Sequence, residues 1–234
     1  MGIMWNSKFL FSALCLIGSV CSFAANAQTT TGLSPLFGDC IIRNESGGSG
    51  ASLMNQFGYV GLYQMGVEYA ADNGLCKDKS KIQSGLKNQK WEQCDFATKL
   101  AIENGIRNVN DLRYGPNAAK VQQILFQNGS AALWKQIQTD SRTKDFVKDP
   151  PLVLNGVTLD ANTMVAMAHL KGMGGLIRTL QGEIVADGNG VTPAGYASCV
   201  EQCLAGSKEH CNMKAGAKLS VLERVCKATN TPQE

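Results

Sequence analysis

Apolar residues recur along most of this chain at the three- and four-residue spacing of helices, and glycine- or proline-bearing segments break the pattern. A first helix is predicted around Leu36–Asn44, with Ile41 and Ile42 on its core side. Gly47, Gly48 and Gly50 then stop it, because glycine is a poor helix residue and a good terminator. A second helix is expected from about Tyr63 through Ala71, ending before Asn73-Gly74. Residues 75–95 are polar, contain Cys76 and Cys94, and read as a cross-linked surface insertion. Helical text resumes over Trp91–Asn104, and Asn110 to Tyr114 forms a short turn of helix. Pro116 stands where helices accept proline, and Ala118, Val121, Ile124, Leu125, Ala132 and Leu133 follow at helical spacing, interrupted by Asn128-Gly129.

Asp149-Pro150-Pro151 breaks the chain before Leu152–Leu159, a short hairpin around Asn155-Gly156. Asp160 caps a helix over Ala161–Leu170, whose continuation to Leu180 is punctuated by Gly172, Gly174 and Gly175. Thr192-Pro193 opens another helix that sets Cys199 and Cys203 on one face, four residues apart, and Ala217–Ala228, with Cys226, is its expected antiparallel partner. The sum is a mainly α fold with little strand, ending in a disulfide-stapled helical hairpin.

The first residues bear on the compartment. Lys8 is the only charge before Asp39, an apolar run extends from Phe9 to Phe23, and Ala25-Asn26-Ala27 comes next. A charged start, a short apolar core and a small-residue exit make residues 1–27 a secretory signal peptide, cleaved after Ala27. The run is diluted and short for a membrane anchor, which needs roughly 20 apolar residues. The chain beyond Ala27 is long enough for one domain with a sizeable core. The expected location is therefore periplasmic or secreted. The formal charge of +3 is too small to argue for nucleic acid, which calls for a clustered basic face.

Nine cysteines include Cys15 and Cys21 in the signal segment. Cys40, Cys76, Cys94, Cys199, Cys203, Cys211 and Cys226 remain, and in an exported chain they read as disulfides with one left over. The cluster from Cys199 to Cys226, with His210 beside Cys211, is too loosely spaced for a structural zinc site, so no metal is expected. Cys199 with Cys226 and Cys203 with Cys211 is one pairing that staples the hairpin; sequence leaves the connectivity open.

Three segments carry polar residues and glycines into otherwise ordinary helices: Arg43-Asn44-Glu45-Ser46-Gly47-Gly48, Gly58-Tyr59-Val60-Gly61-Leu62-Tyr63-Gln64-Met65-Gly66, and Ala168-His169-Leu170-Lys171-Gly172-Met173-Gly174-Gly175. In this order they resemble the lytic transglycosylase branch of the lysozyme-like superfamily, closest to wall-degrading domains of phage and secretion-system proteins. The match covers roughly Phe37 to Tyr196, so residues 28–196 form the expected glycan-cleaving domain and 197–234 a cysteine-rich extension. The resemblance implies cleavage of the bond between N-acetylmuramic acid and N-acetylglucosamine in peptidoglycan, with Glu45 as acid/base and no cofactor. The chain departs from the pattern at Ala168-His169-Leu170, where many transglycosylases have Ala-Tyr-Asn.

The chemistry of Glu45 stands beside that resemblance. Breaking a glycosidic bond needs a proton on a poor leaving-group oxygen, which a carboxylic acid supplies near neutrality only if an apolar site raises its pKa. Ser46, Tyr59, Tyr63, Gln64 and His169 are the candidate substrate-binding residues, with core packing the competing role for the tyrosines and for His169. Glu68 is the nearest downstream acid and the candidate second carboxylate. A pair of carboxylates would make the enzyme a hydrolytic muramidase. A single glutamate fits a transglycosylase, in which the muramic acid's own C6 hydroxyl attacks and leaves a 1,6-anhydro end. Rival readings are a wall-binding component of a secretion apparatus without turnover and a cysteine peptidase using Cys40 and His169. Candidate partners are the glycan strands, secretion-system components, or an inhibitor or immunity protein.

Overall fold

The computed structural model describes residues 32–85, 87–208, 211 and 213. The signal segment, Cys226 and the helix expected over Ala217–Ala228 lie outside the described residues. Among those described, seven α-helices run in the order α1 (Phe37–Ser46), α2 (Val67–Asp72), α3 (Lys99–Glu103), α4 (Val109–Tyr114), α5 (Ala118–Thr139), α6 (Ala161–Leu180) and α7 (Pro193–Leu204). Strands β1 (Val153–Leu154) and β2 (Val157–Thr158) pair antiparallel, with Asn155-Gly156 at the turn as expected. No helix among the described residues is long and apolar enough to cross a membrane.

Helix α6 is the centre. Every residue from Ala161 to Ala168 is buried, the all-round burial of a helix enclosed by others. It packs against α5 and α7, and α7 packs in turn against α1. Its start is fixed by a reciprocal cap: the Asp160 carboxylate accepts from the Thr163 amide while the Thr163 hydroxyl accepts from the Asp160 amide. Past the site the helix kinks at Gly172 (φ 66°), a backbone region that favours glycine. Helix α7 starts at Pro193 with the Thr192 hydroxyl accepting from the Gly195 amide. It runs through residue 196, the expected boundary between the two parts of the chain, and its Tyr196, Cys199 and Val200 are buried with the rest of the core.

Three segments differ from the sequence expectation, each for a tertiary reason. Helix α2 begins at Val67, not near Tyr63, because Val60 and Met65 exchange both backbone hydrogen bonds at 2.9 Å across a tight turn. Asn128-Gly129 does not interrupt α5: Gly129 is there for close approach, since a Cβ would lie 2.1 Å from the Tyr69 hydroxyl oxygen. Residues 75–95 are cross-linked through Cys76–Cys94 and mostly exposed, as expected of a surface insertion, but they are anchored in the core. Leu75, Cys76, Ile82, Trp91 and Cys94 are buried, and the Trp91 indole donates to the Gly58 carbonyl at 2.8 Å. That anchoring leaves only a short 3-10 turn at Trp91–Gln93, with helix resuming at Lys99.

The C-terminal cysteines also correct the pairing considered from sequence. Cys203 bonds to Cys40, not Cys211, and Cys199 bonds to Cys211. The first bridge joins α7 back to α1, so the helical face carrying Cys199 and Cys203 staples the core rather than a local hairpin. The three disulfides among the described residues fit an oxidising compartment.

One buried polar side chain holds the segments around the site together. Gln122 on α5 is fully buried; its carbonyl accepts from the Leu62 amide at 2.9 Å and its amide donates to the Ala51 and Leu112 carbonyls. Gly61 beside it has no room for a Cβ, which would fall 2.1 Å from the Gln122 oxygen. Gln122→Leu removes three bonds, the one to the Leu112 carbonyl fully buried and the other two half-buried. Urea unfolding should show a loss of about 3 kcal/mol, and an unchanged midpoint would contradict this role.

Candidate active site

Glu45 is the penultimate residue of α1, and Gly47 ends the helix in the left-handed region at φ 57°. Its side chain is only 18% exposed. The Tyr196 hydroxyl, from α7, donates to Glu45 Oε1 at 2.7 Å, and His169 Nε2, from α6, stands 3.8 Å from the same oxygen. Three helices thus converge on one carboxyl.

Burial pushes the Glu45 pKa from its ordinary 4.5 up to about 7. The Tyr196 hydrogen bond works against that rise, and the negative charge of Asp187 adds to it. Burial lowers His169 to about 4, opposed by its interaction with the Tyr63 backbone. Glu45 is therefore charged only above about 7 and His169 only below about 4. There is no pH at which the two form an ion pair, despite their proximity. Burial, then the neighbouring carboxyl, raise Tyr196 well above its ordinary range, so it remains a donor throughout.

Comparison with known protein families, with curated proteins and with solved structures finds no match to this chain.

A groove of about 670 Å³ runs beside the site, lined in part by Tyr59, Glu68, Tyr69, Lys87 and His169. Glu45 is not among the lining residues; His169 is the residue common to both, lining the groove and approaching the carboxyl. The rings of Phe126 and Tyr69 meet the His169 imidazole edge-on, at 5.6 Å and 5.8 Å. His169 is thus both a packed residue and a wall of the groove.

The other sequence candidates divide. Tyr59 and Glu68 reach the groove. Glu68 accepts from the Gly85 amide at 3.1 Å, and its charge acts on Tyr59; the carboxylate whose charge acts on Glu45 is Asp187. Asp187 Oδ1 is itself held by the Asn189 and Val191 amides, each at 2.8 Å. Tyr63 is a core residue, stacked on Phe126 with ring centroids 4.1 Å apart, and burial raises its phenol to about 12. Ser46 is buried and donates back to the Ile42 carbonyl at 3.1 Å. Gln64, at φ 44°, donates to the Gly61 carbonyl at 3.0 Å. Neither of the last two is brought to the carboxyl by a hydrogen bond.

The disulfide at Cys40 removes the thiol that a cysteine peptidase would use. Tyr196 and Asp187 are the residues that sequence reasoning missed. Tyr196 had a weak signal: it shares a helical face with Cys199, Val200 and Cys203, and a buried tyrosine needs a partner for its hydroxyl. Asp187 lies in a glycine-rich polar loop and carries none.

Proposed function

We propose that this chain is an exported lysozyme-like enzyme that cleaves peptidoglycan glycan strands as a lytic transglycosylase. The observation carrying this reading is a carboxyl held protonated up to about pH 7 by burial, with one fixed hydroxyl donor at 2.7 Å. Glu45 gives its proton to the oxygen between muramic acid and glucosamine as that bond breaks. The C6 hydroxyl of the muramic acid then attacks its own C1, and the Glu45 carboxylate accepts the hydroxyl proton. The product carries a 1,6-anhydro ring, and Glu45 is again protonated. The Tyr196 hydrogen bond favours the ionised carboxyl, so it supports the half of the cycle in which Glu45 has lost its proton.

A hydrolytic muramidase is the second reading, and Asp187 is the observation that favours it, as a carboxylate whose charge reaches Glu45. The transglycosylase is preferred because, of the influences on Glu45, the Asp187 charge is the smallest, behind burial and the Tyr196 hydrogen bond. Digestion of purified peptidoglycan followed by mass spectrometry separates the two. Anhydro-muropeptides are expected; reducing ends would indicate the muramidase, and binding without products would leave a wall-binding component.

Tyr196→Phe tests the hydroxyl. Losing the donor removes the interaction that lowers the Glu45 pKa, so the alkaline limb of the pH–rate profile should move above about 7. Turnover at the optimum should fall by about a hundredfold. A profile and rate equal to wild type would show that the bond plays no part.

A further inference from the structure

The groove beside His169 is unevenly charged in a way that the cleavage chemistry does not need. Its acidic members are engaged: Glu68 accepts from the Gly85 amide, and Asp72 is ion-paired with Lys79. Lys87, Lys90 and Lys171 also line it, are exposed, and have no carboxylate within ion-pairing distance among the described residues. Lys87 sits 4.7 Å above the Phe57 ring, which steadies the ammonium without neutralising it. The lysines come from separate elements, Lys87 and Lys90 from the segment before Trp91 and Lys171 from α6 next to the Gly172 kink. The segment before Trp91 is fixed in place, since the Gln89 side chain accepts from the Val67 amide at 2.9 Å and its backbone amide donates to the Phe57 carbonyl at 2.8 Å.

We propose that this groove binds the peptide stems of peptidoglycan, with Lys87, Lys90 and Lys171 taking the stem carboxylates and Tyr59 lining the bed between them. The inference rests on the glycan-cleaving reading for its choice of anionic peptide. The stems are short, acidic and attached to muramic acid, the sugar whose bond Glu45 is proposed to break. His169 lines the groove and stands 3.8 Å from Glu45, so the groove is one side chain away from the carboxyl proposed to cleave the strand that bears the stem. The lysines then make the protein a reader of stem-bearing strands, in preference to strands from which the peptides have been removed.

The test uses binding alone, so it does not depend on turnover. The free tripeptide L-Ala-γ-D-Glu-meso-diaminopimelate is titrated into the 15N-labelled protein and amide shifts are followed. Shifts are expected at Lys87, Lys90, Lys171 and Tyr59. Affinity should fall about tenfold when all three lysines are changed to Gln, return when all three are changed to Arg, and weaken with added salt. Absence of shifts at the groove, or equal affinity for the wild type and the Gln variant, overturns the proposal. Peptide binding by a protein that releases no muropeptides would refute the cleavage reading and leave an acidic-peptide site; cleavage without peptide binding would refute only the stem site.

Discussion

Glu45→Gln should lower peptidoglycan turnover by about a thousandfold and at the same time make the protein more stable above neutral pH. The first effect comes from removing the acid proposed to start the reaction. The second comes from linkage. Glu45 binds its proton more tightly in the folded chain, at about 7 against an ordinary 4.5. Its contribution to stability is fully present below 4.5 and is lost as pH rises through 7. The loss amounts to about 3 kcal/mol, from 1.36 kcal/mol per pKa unit. Glutamine carries no charge, so the variant escapes that loss: it should match the wild type at pH 4 and exceed it by about 3 kcal/mol at pH 8.

His169 works in the opposite direction. Its folded pKa is depressed to about 4 from 6.5, so its contribution is present above 6.5 and lost as pH falls through 4. Between about 4.5 and 6.5 the two slopes cancel in the wild type. In Glu45→Gln only the His169 slope remains, and stability should rise steadily with pH across that window. Chemical denaturation at a series of pH values measures both curves. Parallel curves for variant and wild type would mean that the carboxyl is not buried as described.

Removing the Cys40–Cys203 disulfide should be the most damaging covalent change. The bridge spans 163 residues, whereas Cys76–Cys94 spans 18. In the chain-entropy picture these close loops worth about 5 and about 3 kcal/mol. Cys40→Ala with Cys203→Ala should therefore lower the melting temperature by about 10 °C or more, and by more than Cys76→Ala with Cys94→Ala. The same bridge ties α1, which carries Glu45, to α7, which carries Tyr196. Turnover should fall at temperatures where the double variant is still folded, because the hydroxyl is no longer held against the carboxyl. A smaller stability loss than in the Cys76/Cys94 variant, with full activity, would contradict both statements.

Features written in adjacent residues were legible in the sequence. The Asp160 cap, the Asn155-Gly156 hairpin and the Thr192-Pro193 start each need only neighbouring residues, and each stands where the pattern places it. So does the position of Glu45 at a helix end before glycines. Features that could not be read depend on partners far away along the chain. Tyr196 meets Glu45 across 151 residues, and Cys203 finds Cys40 rather than a cysteine nearby. The polar segment 75–95 is drawn inward by Trp91 and Ile82, whose burial no local period announces. Gly129 looks like a helix breaker in sequence, yet it makes room for Tyr69. Tertiary packing overrode local preference at each of these places.

Burial holds Glu45 as a neutral acid at a pH where an ordinary glutamate is ionised. Carbon-13 NMR of the side-chain carboxyl, assigned by its disappearance in Glu45→Gln and followed from pH 3 to pH 9, tests it directly. A titration midpoint of about 7 is expected. A midpoint near 4.5, the ordinary value, would contradict it.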